Sequence, residues 1–168
     1  MPLIRAAQPP RSFLSHSPRH GVVIHTQDNA LVQEWEIENS PELGYVYLRS
    51  AKNRKLVLIS PNMRGNDLGF QILLLELTDQ NSDLAKWRIE TVAHRYLHHP
   101  AAGNFPNHVF LMARIIPFKT GKGSKMKEHE MGVFHEIIDD NAQVVLWQHK
   151  GLYCAQPLNQ MWIIEREI

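Results

Sequence analysis

Three tryptophans constrain this chain more than any other feature. They sit in Gln33-Glu34-Trp35-Glu36-Ile37-Glu38, Ala85-Lys86-Trp87-Arg88-Ile89-Glu90 and Gln160-Met161-Trp162-Ile163-Ile164-Glu165, so the phrase Trp-x-Ile-Glu occurs three times. Trp35 and Trp87 are 52 residues apart and Trp87 and Trp162 are 75 apart, so the third unit carries 23 extra residues. Self-similarity of this kind marks a repeat architecture, in which one unit alone cannot bury its apolar face.

The type of repeat follows from alternation. Trp and Ile two residues apart point to one face of a strand, and the residues between them point to the other. More short apolar runs surround these segments, among them Val22-Val23-Ile24, Tyr45 to Leu48, Leu56 to Ile59, Ile72 to Leu75, Val109 to Ala113 and Val144 to Trp147. Turn chemistry separates them, as in Ala51-Lys52-Asn53-Arg54, the segment from Pro61 to Asp67, and Asp139-Asp140-Asn141. No stretch carries a capped, helix-length pattern of period 3.6. Many short strands at near-regular spacing predict an all-β barrel or sandwich. Three units around a pseudo-threefold axis close a barrel, remove most open edges, and let one Trp from each unit fill a common interior.

Composition narrows the class. A chain of 168 residues, 43% hydrophobic and 21% charged, suits one globular domain. Eighteen Lys and Arg against seventeen Asp and Glu leave a net charge of +1, which gives no long-range attraction for nucleic acid or an anionic membrane. Cys154 is the single cysteine, so no intrachain disulfide forms and a secreted disulfide scaffold is excluded. The opening Met1 to Phe13 has no apolar h-region and is interrupted by Pro2, Pro9 and Pro10. The longest apolar runs are far too short to span a bilayer. A cytoplasmic protein is the expectation, with non-classical secretion or export of a processed chain left open.

These repeats resemble those of the ricin B-type (R-type) β-trefoil family, whose hallmark is Gln-x-Trp near the end of each of three repeats. The middle unit follows the family order most clearly, from Tyr45 through Ile59, then Gln71 to Leu75, then Ala85 to Ile89. The resemblance implies a β-trefoil over 13–168, with repeats at about 13–40, 41–91 and 92–168, an insertion near 117–129, and residues 1–12 as an N-terminal extension. The chain departs from the family in Ala85, which fills the second Gln slot, in the missing intra-repeat disulfide, and in the stretched third unit.

The resemblance also implies a function. In such lectins an aromatic ring stacks on the apolar face of a sugar, while an Asp and an Asn or Gln bond two adjacent hydroxyls; amides suit this because they both donate and accept. The third repeat fits best. By resemblance Trp147 would stack, Asn159 would bond a hydroxyl, and Gln160 would support it. The acid is out of register: Gly132 and Val133 take its place, and Glu136, Asp139 and Asp140 are the nearby candidates, with His135 as a neutral substitute. The alternative is that Trp147 is a core or cap residue and Asn159 a turn residue. In the middle repeat the corresponding positions are Leu75, Leu84 and Ala85, and the site is lost. In the first, Gln33 survives, with His25 near the stacking slot, Val32 in the Asn slot and Asp28 as a polar neighbour.

Other clusters carry less. His129 and His135 lie six apart on a strand-like segment, whereas a zinc protease needs His-Glu-x-x-His on a helix. His94, His98, His99 and His108 form a histidine-dense stretch, and Lys119 to Lys127 a lysine-rich one that lacks phosphate-loop order. No nucleophile and base pairing is evident around Cys154. The expectation is therefore a non-enzymatic carbohydrate-binding module for galactose or N-acetylgalactosamine-type glycans, with no cofactor and no metal. The second hypothesis is a protein-interaction trefoil, a subunit of a larger assembly or a loop-based protease inhibitor, with eroded sugar sites.

Overall fold

The computed structural model describes residues 2–7, 11–61, 70–91, 108–118, 129–133, 140–148 and 160–167. The described residues form thirteen strands: β1 Leu3–Ala6, β2 Phe13–Ser17, β3 Gly21–His25, β4 Trp35–Asn39, β5 Val46–Ser50, β6 Leu56–Ile59, β7 Phe70–Gln71, β8 Leu73–Glu76, β9 Lys86–Thr91, β10 His108–Pro117, β11 His129–Val133, β12 Val144–Gln148 and β13 Trp162–Glu167.

Six of these strands close a barrel. Antiparallel pairing runs β1–β13–β10–β9–β5–β4. The ring shuts where Leu3 bridges Glu34 and the Trp35 amide donates to the Pro2 carbonyl at 3.2 Å. Closure leaves no open edge on the barrel, which is how short strands of this kind avoid exposing unpaired backbone. The remaining strands form three hairpins, β2–β3, β6–β8 and β11–β12, with β7 added to β12. The fold is a β-trefoil: barrel strand, hairpin, barrel strand, three times over.

Leu3–Ala6 belongs to the stretch expected to precede the domain, yet it is the barrel strand that opens the first repeat. Ile4 and Ala6 are fully buried, and the strand pairs with β13 from Leu3↔Glu165 to Ala6↔Trp162. The four residues Leu3 to Ala6, within a six-residue stretch between Pro2 and Pro9, offer too short an alternation to be read as a strand. The partner strand, at the far end of the chain, supplies what local pattern does not.

The tryptophans are equivalent members of one interior. Trp35, Trp87 and Trp162 are all fully buried in a single apolar cluster with Ile4, Leu14, Leu48, Leu58, Ile115 and Met131, among others. Each indole Nε1 donates to a backbone carbonyl on the first strand of its own repeat's hairpin: Trp35 to Leu14 at 3.0 Å, Trp87 to Leu58 at 2.9 Å and Trp162 to Met131 at 2.9 Å. A buried indole N–H needs a partner. The same partner in every repeat fixes each hairpin to its barrel strand and carries the threefold symmetry.

Different repeats also tie to one another through backbone hydrogen bonds. The Ile24 amide donates to the Ala142 carbonyl, the Ile24 carbonyl accepts from the Asn141 amide, and the Ile72 amide donates to the Val144 carbonyl, each at 2.9 Å. Gly21 has φ of 75°, and a β-carbon there would lie 2.7 Å from Nε2 of Gln71, the amide that donates to the His20 and Val22 carbonyls. A side chain there would be strained in φ and would displace the Gln71 amide, so glycine suits that turn.

Candidate functional site

The threefold indole bond gives a common frame for the repeats. Leu14, Leu58 and Met131 are equivalent, and so are the residues just before them: Phe13, Val57 and Glu130. Across each hairpin those three face His25, Leu75 and Trp147 in register. On the barrel, each Trp faces a residue of the next repeat's first strand: Ser50, Pro117 and Ala6. Three residues before those lie Tyr47, Arg114 and Leu3. Two residues before each Trp lie Gln33, Ala85 and Gln160.

Each repeat therefore has one locus on the outer side of its hairpin, built from a barrel residue, a hairpin residue and the Gln-slot residue. The three loci are filled differently. In the second repeat Tyr47, Val57 and Ala85 join Ile59, with Leu77 and Leu84 against them, as a separate apolar cluster. In the third, Arg114 and Glu130 form an ion pair at 2.6 Å, with side-chain exposures of 11% and 2%. Arg114 also reaches Glu90 at 3.3 Å, which holds Arg88 at 2.9 Å. In the first repeat Leu3, Phe13 and Gln33 leave space: they line a cavity of about 180 Å³ with Gln27, Asp28, Asn29, Leu31, Glu34 and Lys52.

Gln33 organises its repeat. Its Oε1 accepts from the Asp28 amide at 2.8 Å, and its Nε2 donates to Ser15 Oγ at 2.9 Å and to the Thr26 carbonyl at 2.8 Å. One buried amide thus pins the β3–β4 loop to β2. Asp28 Oδ1 accepts from the Ala30 amide and shapes the loop further.

The residues expected in the third-repeat site are distributed as follows. Trp147 lies in β12 at the register position of Glu130, and the structure describes its backbone alone. Gln160 is buried at 2% exposure, and its Oε1 has no hydrogen-bond partner among the described residues. Asp140 is exposed and faces the first repeat: its Oδ1 accepts from the Thr26 amide at 2.7 Å, its Oδ2 from the Thr26 hydroxyl at 3.1 Å, and His25 lies 4.0 Å away. Glu136, Asp139 and Asn159 lie outside the described residues, as do His135, Cys154, the lysine-rich segment 119–127 and most of the histidine-dense stretch. Among the described residues no group of three or more His, Cys, Asp or Glu is arranged to hold a metal ion. No described helix is long and apolar enough to cross a membrane.

Sequence reasoning passed over two features. The Arg114–Glu130 pair is non-local, and only an apolar strand pattern interrupted at Arg114 hinted at it. The first-repeat cavity joins β1, the start of β2, the β3–β4 loop and the β5–β6 turn, four segments with no shared motif.

No family model matches the sequence, and no curated protein sequence matches it either. Among solved structures, a Macrolepiota procera ricin B-like lectin in complex with lactose matches with a TM-score of 0.64 and 14% sequence identity, over 98% of this chain and 94% of that one. At that identity the likeness concerns the fold, and it agrees with the β-trefoil built from the strand pairings.

Proposed function

We propose that the protein is a non-catalytic, carbohydrate-binding β-trefoil module whose principal site lies in the third repeat. The observation that carries this reading is the state of the three Gln-x-Trp ends. The third repeat alone combines an intact Gln160, buried beside Trp162, with an aromatic residue at the hairpin position equivalent to His25 and Leu75. The structural neighbour holding lactose is a lectin of the same fold, which favours the same class of ligand here.

In this reading Trp147 stacks on the apolar face of a galactose or N-acetylgalactosamine ring. Asn159 bonds an adjacent hydroxyl, supported by Gln160. Both carboxylate oxygens of Asp140 accept from Thr26, so Glu136 and Asp139 are the better candidates for the acid. A single shallow site binds weakly, and useful avidity would come from multivalent glycans. The test is an NMR titration of the full chain with lactose and N-acetylgalactosamine. Resonances of residues 144–148 and 160–162 should shift, and Trp147→Ala should abolish those shifts. Silence at those resonances for every sugar up to high concentration rejects the third-repeat site.

A second reading, a protein-interaction trefoil, is favoured by the second repeat. There the sugar-contacting slots are apolar, and Leu73 and Leu75 on β8 are 43% and 46% exposed. A stable heteromer recovered by pull-down and unaffected by free sugar would support it over the lectin; loss of the heteromer on adding free sugar would return it to the carbohydrate reading.

A further inference from the structure

We infer that the cavity of the first repeat is a second monosaccharide site, one that accepts neutral and amine-bearing sugars and rejects acidic ones. The inference rests on the carbohydrate reading but on different residues. The register position of Trp147 in this repeat is held by His25, and neither His25 nor Ser15 lines the cavity. It lies instead between the β3–β4 loop, Leu3 of β1, Phe13 of β2 and the β5–β6 turn.

The cavity exists because of a size difference within the molecule. Its locus is filled by Tyr47 and its apolar neighbours in the second repeat and by the Arg114–Glu130 pair in the third. In the first repeat the equivalent barrel residue is Leu3, shorter than either Tyr or Arg, and the equivalent of Leu77 is the exposed amide Gln27. About 180 Å³ is left open, below the range of drug-sized pockets and on the scale of one sugar ring.

The lining suits such a ring. Leu3, Phe13 and Leu31 offer an apolar wall to its C–H face, while Gln27 and Asn29 supply amides that donate and accept. The loop is held ready by Gln33, so little ordering is needed on binding. Asp28 and Glu34 contribute two carboxylates against the one lining ammonium, that of Lys52, which is engaged with the Asn29 carbonyl at 2.6 Å; the Arg5 guanidinium, 4.2 Å from the centre of the Phe13 ring, is balanced by Glu165 at 3.0 Å. The excess negative charge favours an amine on the sugar and repels a carboxylate.

The test uses three sugars of nearly one shape: galactose, galactosamine and galacturonic acid, titrated into the full chain by NMR. Amide resonances of residues 27–34 and 52 should shift with galactose and galactosamine, and less or not at all with galacturonic acid. Glu34→Gln should weaken galactosamine about twofold to fivefold more than it weakens galactose, the range of an exposed ion pair. Leu3→Tyr, which copies the second repeat, should silence residues 27–34; the Glu34 variant serves if that one does not fold. Shifts confined to residues 144–148 and 160–162 would overturn the inference and leave the carbohydrate reading intact. Equal shifts from galacturonic acid would overturn the charge preference. No shift anywhere with any of the three would fail both together.

Discussion

The first and second repeats answer the same packing problem with opposite chemistry. Behind the first hairpin, the buried Gln33 amide makes three hydrogen bonds to Ser15, Thr26 and Asp28. Behind the second, Ala85 and Ile59 occupy the equivalents of Gln33 and Ser15, and Tyr47 and Val57 complete an apolar cluster. Each arrangement meets the requirement that buried polar groups be bonded, the first by pairing the amide and the second by having none in the Gln slot. The polar version holds a loop and leaves a cavity beside it. The apolar version closes the cavity. What the two share is the Trp and its bond to the hairpin carbonyl, so the tryptophan belongs to the fold and the glutamine to what the repeat can do.

The largest effect should therefore come from the shared element. Trp35→Ala and Trp87→Ala should each cost about 3–5 kcal/mol, the usual loss for a large aromatic deleted from a core. The two values should agree because both rings are fully buried in one cluster. Denaturant melts giving less than about 1 kcal/mol at either site would break the equivalence.

The third repeat supplies a further solution and a sharper test. Breaking a buried ion pair by removing one member typically costs about 3–5 kcal/mol, so Arg114→Leu, which takes the 2.6 Å contact away from the buried Glu130, should approach that range. Replacing both members at once, Arg114→Tyr with Glu130→Val, installs the pair found in the second repeat. That double variant should recover most of the loss, since a well-packed apolar substitute for a buried ion pair is often neutral. If the double variant is no more stable than the single one, the three loci are not interchangeable. The network from Arg88 through Glu90 would then be the reason.

Gln33→Ala should come next, at about 1–3 kcal/mol, the cost of leaving buried groups unbonded. Adding Ser15→Ile, the second-repeat residue, should restore part of this by filling the space that the shortened side chain leaves. Full restoration is not expected, because the Thr26 carbonyl and the Asp28 amide still lose their partner. A thermal melt series of the two single variants and the double variant reads the coupling directly.

How much of this was legible in the sequence depends on how far apart the cooperating residues lie. Period-2 alternation around Trp-x-Ile is local, so the strands, the three units and the all-β class could be read from it. The Trp87–Leu58 bond joins residues 29 apart and follows once the repeat is seen. The entry strand Leu3–Ala6 pairs with residues at the far end of the chain, and no local pattern marks it. Asp140, expected from proximity in sequence to serve the third repeat, bonds Thr26 of the first, because the residues just before β12 pack against the end of β3, where Asn141 and Ala142 bond Ile24. Loci assembled from three separate stretches of chain are a property of the register, which sequence spacing alone does not give.

The smallest effect concerns His16, which separates the first repeat from the others on the first strand of the hairpin. It lies two residues after Leu14; its equivalents, two residues after Leu58 and Met131, are Ser60 and Val133, neither of which titrates. Partial burial lowers the His16 pKa from its ordinary value of 6.5, because desolvation disfavours the charged ring. The unfolded chain then binds a proton more readily than the folded one, so stability rises with pH through that window. The contribution is complete above about pH 6.5, the value the unfolded chain keeps, and is lost as the pH falls toward the lower folded value. Midpoints of chemical unfolding measured between about pH 5 and pH 8, the window in which histidine titrates, should show this slope in the parent protein. His16→Ser, which borrows the second-repeat residue, should flatten it, and an unchanged slope would place the pH dependence in other histidines.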